Sequence, residues 1–489
     1  MAPGALYSQE DSLRRSASSP TPAGALTIIK RCLLNRSINV NPLRLARGVG
    51  NSWYLADGTE IYDASGGAAV ASIGKRNKRV ERATHRIEKL GLSYAPSLGF
   101  DTDITEELAT WMIRSTAGLM SKAVFYCSGS EAVEAAIKIA VQYHKEKPEP
   151  QPGKTLFIAR QRSYHGATLG ALDLSGHDAR KRLYTEVLAG KMRLVPECHE
   201  YRNKIKGQSD AEYVQWHRKK LIEKIEEFGA NRIAGFILEP VVGAALGCAP
   251  AVPGYLTAMR EVCDDYGVLL IFDEIMCGMG RTGYLHAWQE ENVVPDIQVV
   301  GKGLAGGFEA VSAMMIGHKV INAFRNGSSN GAFAHGQTFQ NSPKGAAAAL
   351  ETQRIVVDEK LLENVRDKGP RLQQKIRERL GHHRYVGDIR GPKKGIFLAL
   401  EFVRDKASKT PFEESEGIAM KIFSQGLTKA HGIHVYPGSG SVDGLNGDHI
   451  ILAPAYNITN AEVDLIVDRT TRLVEVFFDN YDRSRKALV

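Results

Sequence analysis

The chain reads as an α/β protein built on a largely parallel sheet, and two observations carry that reading. Several apolar runs lack polar alternation, among them residues 155–159, 233–238, 268–272 and 297–300, as strands covered on both faces do. A chemically active residue then follows several of the runs: Glu239 after Leu238, Asp273 after Phe272, and Lys302 between two glycines after Val300. Ligands of open α/β sheets gather at the carboxyl ends of the strands. An acid and an amine delivered there can meet one ligand, and glycines beside the lysine let something bulky approach.

Composition narrows the class. A length of 489 residues suffices for a large core and more than one domain. Contents of 43% hydrophobic and 24% charged residues are those of a soluble globular protein. No run of eighteen apolar residues is present, so no membrane span is expected. The net charge of +8 is scattered and no recognised module accompanies it, so nucleic acid is not an expected partner. Six cysteines show no CxxC pair and no metal-ligand rhythm with histidine; a reducing compartment and no metal are the expectation. Residues 1–25, rich in Ser, Pro and Ala, read as a disordered tail. Between Ser12 and Ala56 there is no acid but several arginines. That pattern leaves a mitochondrial address as the alternative to the expected cytoplasmic one.

The elements follow in order. Trp53 to Asp63 reads as a hairpin turned at Asp57-Gly58. Residues 75–79 read as a solvated helix start. Ile104, Leu108, Trp111 and Met112 recur at helical spacing before a short strand at 123–126. Ser128-Gly129-Ser130 opens an alanine-rich helix, and such an N-terminus suits a phosphate, although Ser130 serves equally as a plain N-cap. After the run at 155–159 come Tyr164, which reads as core aromatic, and His165, which reads as a packed histidine. Residues 191–228 are charged and turn helical in their second half. Helical patterns at 346–357 and 361–380 precede strands at 395–402, 433–436 and 448–456.

The segments 272–283 (FDEIMCGMGRTG), 299–307 (VVGKGLAGG) and 128–140 (SGSEAVEAAIKIA) resemble the core motifs of the class III, or omega-type, aminotransferases, with a match running from about Gly48 to about Val467. The resemblance implies fold type I: a large domain with a mixed, mostly parallel seven-stranded sheet covered by helices, and a smaller α+β domain built from both chain ends. Residues 26–80 and 345–489 would form the small domain and 81–344 the large one. The implied cofactor is pyridoxal 5'-phosphate, held as a Schiff base by Lys302, with Asp273 keeping its ring nitrogen protonated so that the ring drains electrons from a carbanion. Tyr164 and Ile275 would clamp the ring, Gly129 and Ser130 would hold the phosphate, and Glu239 would lie near the phenolic side. Its plainer reading is a structural salt bridge. Thr338 would reach the phosphate of a neighbouring subunit, which implies a homodimer with shared sites.

The implied activity is amino transfer between an amine or amino acid and a keto acid or aldehyde. Phospho-lyase, decarboxylase or racemase chemistry on the same lysine and aspartate stays open. A nucleotide-dependent oxidoreductase is disfavoured, because no GxGxxG follows an early strand. A non-enzymatic binder is disfavoured by retention of both Lys302 and Asp273. The chain departs from the family in two places: Gly307-Phe308-Glu309-Ala310 replaces Gly-Tyr-Pro, and Gly74-Lys75-Arg76-Asn77 replaces Gly-His-x-His-Pro. A keto acid calls for a bidentate arginine, yet 437–456 has none. Arg390 could serve or could tie domains together.

Overall fold

The computed structural model describes residues 32–37 and 39–486; the tail expected at 1–25 lies outside them. Its described residues before Leu45 form no helix or strand. From Leu45 onward the chain is one unit around a seven-stranded sheet. The strands are Met120–Tyr126 (β1), Leu156–Arg160 (β2), Met192–Val195 (β3), Ile233–Leu238 (β4), Leu269–Asp273 (β5), Ile297–Val300 (β6) and Ser312–Gly317 (β7). Their spatial order is β1-β7-β6-β5-β4-β2-β3. Only β7 runs against its neighbours, so the sheet is mixed and mostly parallel, as expected. Two strands, β3 and β7, lie where the sequence reading placed none.

Alternation along β5 explains how the acid is aimed. Leu269 and Ile271 join a core with Ala132, Val133, Ala136 and Ile139 of the helix Gly129–Glu146. Leu270 and Phe272 face the opposite layer, with the helices Asp210–Phe228 and Tyr255–Asp265. Successive side chains of a strand point to opposite faces, so Asp273 continues the row of Ile271, on the side of the helix Gly129–Glu146. Burying each of these large apolar side chains stabilises the sheet by about 1.5–3 kcal/mol, which fixes the edge on which the active groups stand.

The two chain ends meet in smaller sheets. Ser52–Leu55 and Glu60–Asp63 form the expected hairpin, with Gly58 at φ +84° in its turn. Ile433–His434 pairs parallel to Glu60–Asp63, in register Ile433 to Tyr62. Val386–Arg390, Leu398–Asp405, Asp448–Leu452 and Tyr436–Gly438 make an antiparallel sheet. A final helix, Asn460–Lys486, was not expected.

The residues read as a solvated helix start behave otherwise. The helix begins at Lys78, capped by Asn77. Lys75 instead folds back, its ammonium 2.9 Å from Asp63 and 4.2 Å from the centre of the Trp53 ring. A cation held by both a carboxylate and an aromatic face gains enough to leave solvent.

Candidate active site

The carboxyl edge of the sheet collects the groups in question. Asp273 ends β5 opposite Val299 of β6, and Lys302 follows β6 after one glycine, so adjacent parallel strands deliver acid and amine to the same end. Lys302 starts a short 3₁₀ turn with φ +42°, a conformation that costs a non-glycine residue of order 1 kcal/mol. Gly301 before it and Gly303 after it leave room. Burial holds its amine below the ordinary lysine range, and the nearby Arg180 charge acts in the same direction, while the charges of Asp273 and Glu239 oppose both.

Asp273 is buried and fixed at both oxygens. Oδ2 lies 2.8 Å from Nδ1 of His165, and Oδ1 accepts the Ile275 N–H at 3.0 Å. His165 is therefore more than packing: it orients the acid. Glu239 sits beside them, and among the described residues it makes no salt bridge, contrary to its plainer reading. Its Oε1 accepts from the Tyr164 N–H at 3.1 Å and its Oε2 from the Gly243 N–H at 2.9 Å, and Arg160 donates to its main-chain carbonyl. Burial raises the Glu239 carboxyl, and the Asp273 charge adds to that, against the His165 charge and the two N–H bonds. It thus ties the loop carrying Tyr164 to the end of β4. Glu274, pushed up to about 7 by burial, accepts from the Ala287 and Trp288 N–H groups and anchors the glycine-rich loop.

The helix Gly129–Glu146 opens against this cluster. Its cap is Ser128, in a box with Glu131, so Ser130 is not the N-cap. Ser130 Oγ instead accepts from the Ala167 N–H at 2.9 Å, joining the helix start to the Tyr164 loop. At Gly129 an added Cβ would stand 2.6 Å from Cδ1 of Ile275. Close approach, not backbone freedom, requires glycine here. Gly129→Ala is expected to displace Ile275 at a cost of about 1–3 kcal/mol, measured by denaturant unfolding; unchanged stability would refute the close fit.

Gly129, Ser130, Tyr164, Ile275 and Lys302 are all half-buried around the buried Asp273 and Glu239. Thr338 stands apart, exposed on a loop that docks through Asn341 on Phe125 of β1. Arg390 is bound to Glu401, Asp388 and the Leu246 carbonyl, so it ties structure together and is not free to hold a substrate. Two residues that the sequence reading passed over also border Tyr164: Arg180, 4.6 Å from the ring centre, and His177, edge-on at 6.4 Å. No motif marks them. Among the described residues no cluster of metal ligands occurs.

A sheet that presents an oriented acid and a desolvated amine at adjacent strand ends, beside a helix N-terminus, is the frame of a fold type I pyridoxal phosphate enzyme. The chain belongs to the class III aminotransferases: the model of that family, "Aminotransferase class-III", matches residues 34–474. It is 45% identical over 90% of its length to an aminotransferase of Gibberella zeae, covering 85% of that protein. It is also 33% identical to a taurine–pyruvate aminotransferase of Bilophila wadsworthia, over 89% of this chain and 92% of the other. Among solved structures it resembles an amine transaminase of an uncultivated Pseudomonas species in a pyridoxal-phosphate-bound form, with TM-score 0.83 and 29% identity over 92% of this chain and 98% of that one. The protein is accordingly a pyridoxal-phosphate-dependent transaminase.

Proposed function

We propose that Lys302 is the catalytic amine and base of this transaminase and that Asp273 is the acid that faces the cofactor ring. The observation that carries the reading is their delivery by adjacent parallel strands to one edge, with Asp273 already oriented by His165. Pyridoxal phosphate, when bound, supplies an electron sink for the pair left at the substrate carbon. Lys302 Nζ takes the proton from that carbon, which its desolvated state favours. Asp273 would keep a proton on the cofactor's ring nitrogen, and His165 Nδ1 keeps Asp273 aimed. Tyr164 and Ile275 would hold the cofactor ring between them, and Gly129 and Ser130 would offer the helix N-terminus to its phosphate. Glu239 fixes the main chain at Tyr164 and Gly243 and would stand near the cofactor's phenolic side.

We extend the reading to assembly. Leu98, Phe100 and Phe339 are 91%, 71% and 56% exposed, and Phe339 adjoins Thr338. Exposed apolar groups of this size support a partner surface, and a second copy placed there would carry Thr338 to its neighbour's phosphate site. The residues 81–344 would then bind the cofactor, with the chain ends forming the smaller domain. Light scattering is expected to report a dimer, and Phe100→Asp to yield monomer with little activity; an active monomer would refute shared sites. Six free cysteines support a cytoplasmic setting.

The test of the reaction is a half-turnover. Enzyme loaded with cofactor and given an amine donor alone should yield one equivalent of carbonyl product and pyridoxamine phosphate, then recover on adding a keto acid. Release of carbon dioxide or phosphate, with the cofactor unchanged, would overturn amino transfer.

A further inference from the structure

We propose that Arg180, with His177 beside it, is the anchor for the acid group of the substrate, so that the acceptor this site selects is a keto acid rather than an uncharged aldehyde. The proposal rests on the aminotransferase reading and names the substrate class of that same site.

Arg180 lies on the short helix Asp178–Lys181, exposed, with its guanidinium carbon 4.6 Å from the centre of the Tyr164 ring. Among the described residues no ion pair engages it, and its guanidinium contact is the Tyr164 ring. A guanidinium lying over an aromatic face keeps its in-plane N–H fork free, and that fork matches a carboxylate bidentately. Its position is relevant to the chemistry because its charge reaches Lys302. His177 adds a second observation: its Nδ1 is buried without a hydrogen-bond partner. Such an atom costs about 1–3 kcal/mol unless something satisfies it. Burial, with the Arg180 charge, holds the His177 imidazole down at about 4, so at neutral pH it is uncharged and can donate one N–H to an anion already neutralised by Arg180.

Three further arginines at this end of the sheet are committed. Arg390 holds Glu401 and Asp388, Arg160 bonds the Glu239 carbonyl, and Arg281 bonds the carbonyls of Pro454, Ile396 and Ala69. The arginine-free loop at 437–456 packs against the helix of Arg180: a Cβ on Gly444 would stand 2.7 Å from Asp178 Oδ2. Its φ of +92° also favours glycine. The cation that this loop lacks is thus supplied by the element it touches.

The test compares two acceptors of equal chain length, pyruvate and propanal, with one amine donor, and titrates the holoenzyme with propanoate, an unreactive carboxylate, by calorimetry. Arg180→Ala should raise the KM for pyruvate about 10- to 100-fold, the worth of a charged hydrogen-bonded pair. It should weaken propanoate binding by a similar factor and lower propanal turnover far less than pyruvate turnover, any fall common to both acceptors being that of the charge lost beside Lys302. Arg180→Lys should fall between, and His177→Phe should weaken propanoate binding less than Arg180→Ala. Equal losses on both acceptors, or unaltered pyruvate and propanoate affinities, would overturn the proposal. A wild type that turns over neither acceptor would count against the aminotransferase reading instead, and the propanoate titration would still decide the role of Arg180.

Discussion

Lys302→Ala is expected to lower amino transfer by at least about four orders of magnitude, the scale on which a positioned base acts together with covalent catalysis. The fold should survive, since among the described residues no hydrogen bond or ion pair ties the side chain to the core, and the backbone strain at φ +42° is much the same for alanine. Loaded wild type should absorb near the visible edge and bleach with a good donor, and Lys302→Ala should not absorb there. A pH profile adds a sign. Burial lowers the Lys302 amine from the usual value of about 10.4. A lysine so lowered is neutral, and a base, at every pH above its folded value, and activity falls as pH drops through that value. The acid limb should therefore sit below about 10.4. A limb at or above the ordinary lysine range would mean that the amine is not desolvated as described.

Asp273→Ala is the second large effect. Loss of the carboxylate leaves His165 Nδ1 and the Ile275 N–H, bonded at 2.8 and 3.0 Å, without their acceptor, at a cost of about 1–3 kcal/mol in stability. Turnover should fall by roughly 10²–10³-fold through lost stabilisation of developing charge, while the cofactor is partly retained. Asp273→Asn separates the two losses, because the amide oxygen can still accept from His165 but carries no charge. Stopped-flow rates of the half-reaction measure both. Turnover by Asp273→Asn within tenfold of wild type would remove the acid from the account.

Much of this was legible in the sequence, for identifiable reasons. Ile233–Leu238 and Ile297–Val300 lie within uninterrupted apolar runs, and their bounds were read as they stand. Asp273 and Lys302 were visible because each interrupts such a run at its end. β3 was hidden because it is a short edge strand with Arg193 at its centre and half-buried side chains. β7 was hidden because Ser312-Ala313-Met314-Met315-Ile316-Gly317 has few strand-forming residues; burial between β1 and β6, not propensity, makes it a strand. The last helix, by contrast, carried a readable signal. Thr459 and Glu462 form a capping pair, and Val463, Ile466, Val467 and Thr470 repeat at helical spacing. In the site, the partners of the named residues were not legible. His165 and Asp273 are 108 positions apart, and no local pattern joins Arg180 to Tyr164.

The central claim is that the amine of Lys302 is the one that carries pyridoxal phosphate. Borohydride reduction of the loaded protein followed by peptide mapping tests it most directly. A single reduced adduct is expected, on the peptide containing Lys302. A label on another lysine, or none despite bound cofactor, would contradict it.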